Sequence, residues 1–139
     1  RVDEAVLPAA SAAALVSWSG GLIRDLVALG RAAGAEAYAD GLDTVQTSHV
    51  KTAADRFGRA LLLGCTSGMV TRLKVLVPKR GVRPTGRPVP RDDLSAFTVA
   101  TELDQRLLIE RLIIEIPETP VRYVLHPTIV PLISGLGAS

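Results

Sequence analysis

The spacing of the apolar residues changes once along this chain, just after Leu108, and that change restricts the fold more than any other feature. Up to Leu108 apolar side chains recur at intervals of three and four, the mark of helices with one buried face. Beyond it come two β-branched runs, 111–116 and 121–125, around the polar link Pro117-Glu118-Thr119-Pro120. Two such runs joined by a four-residue link predict a hairpin. The expected fold class is therefore mainly α with a C-terminal β-hairpin. A short helix over Thr128–Ile133 should follow His126-Pro127, which ends the second strand.

The helical part divides at breakers. Residues 3–17 read as a first helix whose regular part starts near Pro8, because proline is poorly tolerated inside a helix. Ser19-Gly20-Gly21 interrupts the pattern. A second helix follows over 22–38, with Leu22, Leu26, Leu29 and Ala33 on one face, and Asp40-Gly41 closes it. Thr47 or Ser48 caps a third, striped by Val50, Ala53, Ala54, Phe57 and Leu61. After a corner at 64–68, Met69, Val70, Leu73 and Val77 mark a fourth that stops at Pro78. Residues 78–92 hold four prolines and two glycines and read as loop. Leu94 to Leu108 returns to helix, with Phe97, Ala100, Leu103 and Leu107 aligned.

Composition narrows the function classes. Hydrophobic residues make up 47% of the chain and aromatics only 4%, so Leu, Val, Ile and Ala must fill the core. One cysteine, Cys65, permits no internal bridge and no metal cage, and it favours a reducing, cytoplasmic setting. No apolar run is long enough to cross a bilayer, and no signal peptide is recognisable. The start at Arg1 instead of Met suggests a cut from a longer protein.

Catalytic motifs are missing. No phosphate-cradling G-x-x-x-x-G-K-[ST] and no nucleophile elbow occur. His49 and His126 lack Cys or carboxylate neighbours at metal spacing. Cys65 has no adjacent His, which favours a buried structural thiol over a nucleophile.

All the basic excess falls in one stretch. Residues 1–71 hold six basic and seven acidic residues, 72–91 hold seven basic and none acidic, and 92–139 hold three basic and seven acidic. Lys79, Arg80, Arg83, Arg87 and Arg91, with Arg72 and Lys74 before them, could follow a phosphate backbone. A solvated linker is the plainer reading. The following helix carries Glu102 and Asp104 against Arg106 alone, which disfavours a groove-reading role, and aromatics for stacking on single strands are missing.

Ser19-Gly20-Gly21-Leu22-Ile23-Arg24 is the most informative local string. Two glycines let the chain turn sharply, and Arg24 then sits in the first turn of a helix. A cation there opposes the macrodipole unless something anionic uses it. This string resembles the lid of AAA+ ATPases, where a glycine corner precedes an Arg termed sensor 2. The tail, with Leu107-Leu108, Ile113–Ile116 and Arg122–Pro127, resembles the end of a STAND-like group of bacterial P-loop ATPases. The turn departs from that pattern, since Pro117–Pro120 stands where Asn-Gly is usual, and Tyr123 is the single aromatic of the second strand.

The resemblance implies a helical lid over residues 1–45 and a winged-helix domain over 46–139. It implies no complete active site in this chain, which takes the place of a regulatory C-terminal region. Arg24, positioned by Gly20 and Gly21, would answer the terminal phosphate of ATP held with Mg2+ by an upstream core domain. The winged helix would then expose or mask a partner surface. A nucleic-acid-binding winged helix using the basic loop and a protein-interaction or self-associating module are the alternatives. No membrane partner is expected.

Overall fold

The computed structural model describes residues 6–76, 94, 97–117 and 121–136. Among these it contains six helices and one antiparallel hairpin near the C-terminus, so the chain is mainly α with a small β element. Two compact units are present, 1–57 and 58–139, whereas the sequence suggested a division after residue 45.

Unit 1 starts with α1 (Ala9–Ser19), α2 (Ile23–Ala39) and the first half of α3 (Thr47–Leu63). Pro8 takes the N-cap position of α1, where its missing N–H removes nothing. α1 runs two residues past the sequence-based end at 17 and stops when Gly20 enters the left-handed region at φ 65°. Its core is made of small groups: Ala33, Ala37, Ala53 and Ala54 are buried with Leu15, Leu29, Val45 and Val50, and Trp18 and Phe57 pack at its edge. The buried Ser11 hydroxyl donates to the Val45 carbonyl at 2.6 Å, and the Val45 N–H donates to the Val6 carbonyl at 2.8 Å, which ties the segment before α3 onto α1. α2 ends as Gly41 takes φ 70° and the Leu42 N–H returns to the Ala37 carbonyl at 3.0 Å.

Unit 2 holds the rest of α3, then α4 (Ser67–Leu76), α5 (Glu102–Ile109), β1 (Ile113–Ile116), β2 (Arg122–Leu125) and α6 (Val130–Leu136). The strands pair Ile113 with Leu125 and Ile116 with Arg122. Its core joins Met69 and Leu73 of α4, Leu107 of α5, Leu112 and Ile113 at the hairpin, and Ile129 and Ile133 at α6. Phe97 stands edge-on to Tyr123, with ring centroids 5.1 Å apart.

Three sequence-based boundaries are corrected. The helix expected from Leu94 begins only at Glu102, since residues 97–100 are not helical. Thr101 is extended (φ −125°, ψ 163°) and its hydroxyl accepts the Asp104 N–H, while the Asp104 carboxylate accepts the Thr101 N–H. This capping box starts the helix and outweighs the apolar periodicity before it. The first strand begins at Ile113 instead of Arg111, because Arg111 adopts φ 61° in the turn that ends α5. The Leu112 N–H there reaches the Leu107 carbonyl at 2.9 Å and satisfies an orphan of the helix end. The last helix begins at Val130, after a turn over 127–129.

Candidate functional site

The glycine corner before α2 is built as a tight turn. The buried Ser19 hydroxyl donates to the Val16 carbonyl at 2.9 Å and accepts the Gly21 N–H at 3.2 Å. Gly20 and Gly21 both have positive φ, 65° and 82°, a sequence of conformations that β-carbons would oppose. The Leu22 N–H closes the turn on the Ser19 carbonyl at 3.2 Å. Leu22 is extended and offers no side-chain cap, so α2 starts without a side-chain acceptor from its N-cap residue.

Arg24 lies in the first turn of α2 with an exposed side chain. Its neighbour Asp25 points the other way and is buried at 1% exposure. A carboxylate in the first helical turn complements the macrodipole, whereas Arg24 does not. Arg24 therefore stands on solvent-facing helix surface, outside the core of its own unit.

The basic stretch is divided by its contacts. Arg72 is committed to unit 2: its Nε donates to Asp104 Oδ1 at 3.0 Å, and its guanidinium carbon lies 5.7 Å from the Phe97 ring centre. Lys74 is exposed on α4. Lys79, Arg80, Arg83, Arg87 and Arg91 lie outside the described residues.

Asp104 is a buried carboxylate held from several sides. Besides Arg72 and Thr101 it accepts the Ala100 N–H at 3.2 Å. Burial pushes its pKa up, but the Ala100 N–H, the Arg72 guanidinium and the Thr101 groups outweigh that and hold it below the ordinary 3.8. Its role is to fasten α5 to α4. Sequence reading counted Asp104 only as an acid that disfavours a groove-reading role. The Thr-x-x-Asp signature of a capping box was the signal that could have corrected this.

Both histidines are structural. His49 is buried; its Nδ1 accepts the Gln46 N–H at 2.9 Å, so Nε2 carries the proton and faces Asp40 Oδ2 at 2.8 Å. It thereby serves the start of α3 as the reciprocal half of a cap, a position where the sequence suggested Thr47 or Ser48. His126 is buried; its N–H donates to the Leu112 carbonyl at 2.9 Å, and its Nδ1 meets the Thr128 hydroxyl at 2.8 Å. That arrangement fixes the chain as it leaves β2, the role expected of His-Pro.

Cys65 is half-buried against the core of unit 2, less enclosed than the sequence reading had it. Burial and the nearby Glu110 raise its thiol above the ordinary 9.0, so little thiolate is present at neutral pH. Iodoacetamide at pH 7.5 should label Cys65 more slowly than a free cysteine, because a raised thiol pKa leaves less thiolate to react. Glu110→Gln should speed the reaction without changing the fold. Labelling at the free-cysteine rate would contradict this environment.

Among the described residues, no three His, Cys, Asp or Glu side chains gather as a metal-binding group, and no helix is long and apolar enough to cross a membrane. No protein-family model, curated protein or solved structure matches the chain. What the chain does therefore has to be argued from its own residues.

Proposed function

We propose that this chain is the regulatory, non-catalytic region of a P-loop ATPase, in which α1 and α2 serve as a lid and Arg24 answers the terminal phosphate of ATP. The observation that supports this reading is the position of Arg24: solvent-facing, in the first turn of α2, three residues after the second of two left-handed glycines. A guanidinium offers a planar fork of donors matched to phosphate oxygens. Arg24 is the residue of this chain that would reach the phosphate, while ATP and Mg2+ would be held by an upstream core. Loss of the terminal phosphate would remove the anion that holds Arg24. The lid would then be released, and the winged-helix reading of the hairpin region gives that movement an output.

In the full-length protein, Arg24→Ala should lower ATP turnover by about a hundred- to a thousandfold, the scale of removing one preorganised donor from a developing charge. Arg24→Lys should recover only part of it, because a point charge replaces the fork. Unchanged turnover in Arg24→Ala removes the reading.

A protein-interaction module is the second reading. It is favoured by large apolar side chains left exposed on α2, with Ile23 at 77% and Tyr38 at 85%.

A further inference from the structure

The core-facing side of α2 carries Asp25, Leu29, Ala33 and Ala37, all buried. A second stripe, about a third of a turn around the helix from the first, is also apolar. Ile23, Val27, Gly30, Gly34 and Tyr38 follow one another at intervals of four, three, four and four, which places them on one face at 3.6 residues per turn. Ile23, Val27 and Tyr38 are exposed at 77%, 49% and 85%, and a β-carbon added at Gly30 or Gly34 would meet nothing within 4 Å. A surface helix normally spends its outer face on charged groups. This one instead has an open floor at two glycines, walled by large apolar side chains at both ends.

The charges along this face say what could cover it. Arg24 and Arg31, seven residues apart, lie exposed along one edge, and neither is paired with a carboxylate among the described residues. The acids of α2 are elsewhere: Asp25 is buried and Glu36 pairs with Arg56. A second copy of α2 would therefore bring two more arginines and no carboxylate to that edge.

We infer that this face of α2 docks a helix of a protein partner, with an apolar ridge narrowed to Ala, Gly or Ser where it crosses Gly30 and Gly34. Two carboxylates seven residues apart on that helix flank the ridge and meet Arg24 and Arg31. Glycines at the crossing let the two backbones approach more closely than the usual ~8–10 Å between helix axes. The face spans about 22 Å at 1.5 Å per residue, so the docked helix is about four turns long. This inference does not rest on the phosphate reading; Arg24 meets either a phosphate or a partner carboxylate, not both, so it is tested without nucleotide and with Arg24 left in place.

The probe is a fluorescein-labelled amphipathic helix of about 20 residues, with Leu at the ends of its ridge, Ala at its centre and Glu at two flanking positions seven apart. A twin carries Lys at those two positions. Anisotropy should show the Glu peptide binding at least about tenfold tighter than the Lys twin, a 1.4 kcal/mol difference. Amide shifts in the 15N-labelled chain should concentrate on residues 23–38. Gly34→Leu should abolish binding while circular dichroism stays unchanged, since the site is open. Arg31→Glu should abolish the preference between the two peptides, since Arg24 still attracts the charge that the changed position repels. Equal binding of both peptides, shifts centred elsewhere, or full binding by Gly34→Leu overturns the inference. So does a dimer in sedimentation that Gly34→Leu returns to monomer, which would make a second copy the occupant.

Discussion

Gly58→Ala should be among the most damaging single-methyl changes available in this chain. An added β-carbon would lie 2.4 Å from the Thr128 carbonyl oxygen, 2.9 Å from its carbon and 3.0 Å from Leu132 Cδ1. Two of these atoms are backbone, in the turn that His126 and Ile129 hold through the 3.1 Å bond between their main chains. Neither side can move without opening that turn. Overpacking of this kind costs about 1–3 kcal/mol and sometimes more. Replacing glycine by alanine inside a helix returns about 1 kcal/mol, and with two backbone atoms in the way the upper end of the overpacking range applies, so the net loss should reach about 2 kcal/mol. Urea unfolding of the purified chain measures it, and Gly30→Ala is the internal control. With nothing near its β-carbon, that change should stabilise by about 0.5–1 kcal/mol. If the two variants behave alike, α3 does not approach Thr128 as described.

The second large effect concerns Asp104. Asp104→Ala removes the acceptor for the Arg72 guanidinium and for the Ala100 and Thr101 N–H groups together. Breaking a buried pair costs about 3–5 kcal/mol. Arg72 is 35% exposed and can turn to water, so about 2–3 kcal/mol is expected here on the same scale. The pH dependence gives an independent check. Because the folded carboxyl titrates below its ordinary 3.8, its contribution is complete above that value. It is lost as the pH falls through the lower folded value, where the unfolded chain binds the extra proton. Native and Asp104→Ala proteins should therefore differ most near neutrality and converge in acid. A gap that stays constant to pH 2 would show that the carboxylate's charge does not contribute.

How much of this was legible in the sequence depends on whether a residue's role is local. The breaks at Gly20-Gly21 and Gly41 were readable, because positive φ is nearly a property of glycine itself. The hairpin was readable because β-branched runs and a polar link are local signals. Thr101 was missed because four apolar residues at helical spacing, starting at Phe97, masked a capping box that needs one hydroxyl and one carboxylate. Arg111 could not be foreseen: left-handed geometry at a non-glycine residue is imposed by the bonds that close α5. His49 was unreadable for a different reason. Its two partners, Gln46 and Asp40, are brought together only when α2 and α3 are both formed. For the candidate site, sequence located Arg24 and its corner but not the apolar outer face of α2. Isolated Ile, Val and Tyr residues in a helix look like core until a structure shows which way they point.

The methyl-lined interior of unit 1 has an evolutionary corollary. Where helices meet through Ala33, Ala37, Ala53 and Ala54, there is no spare volume for a longer side chain and little to remove. Substitution at those four positions should be tolerated best as glycine, serine or cysteine. A saturation library selected for folding alone would accordingly find its narrowest repertoire at some of the smallest side chains, while the exposed Ile23 and Tyr38 would vary widely.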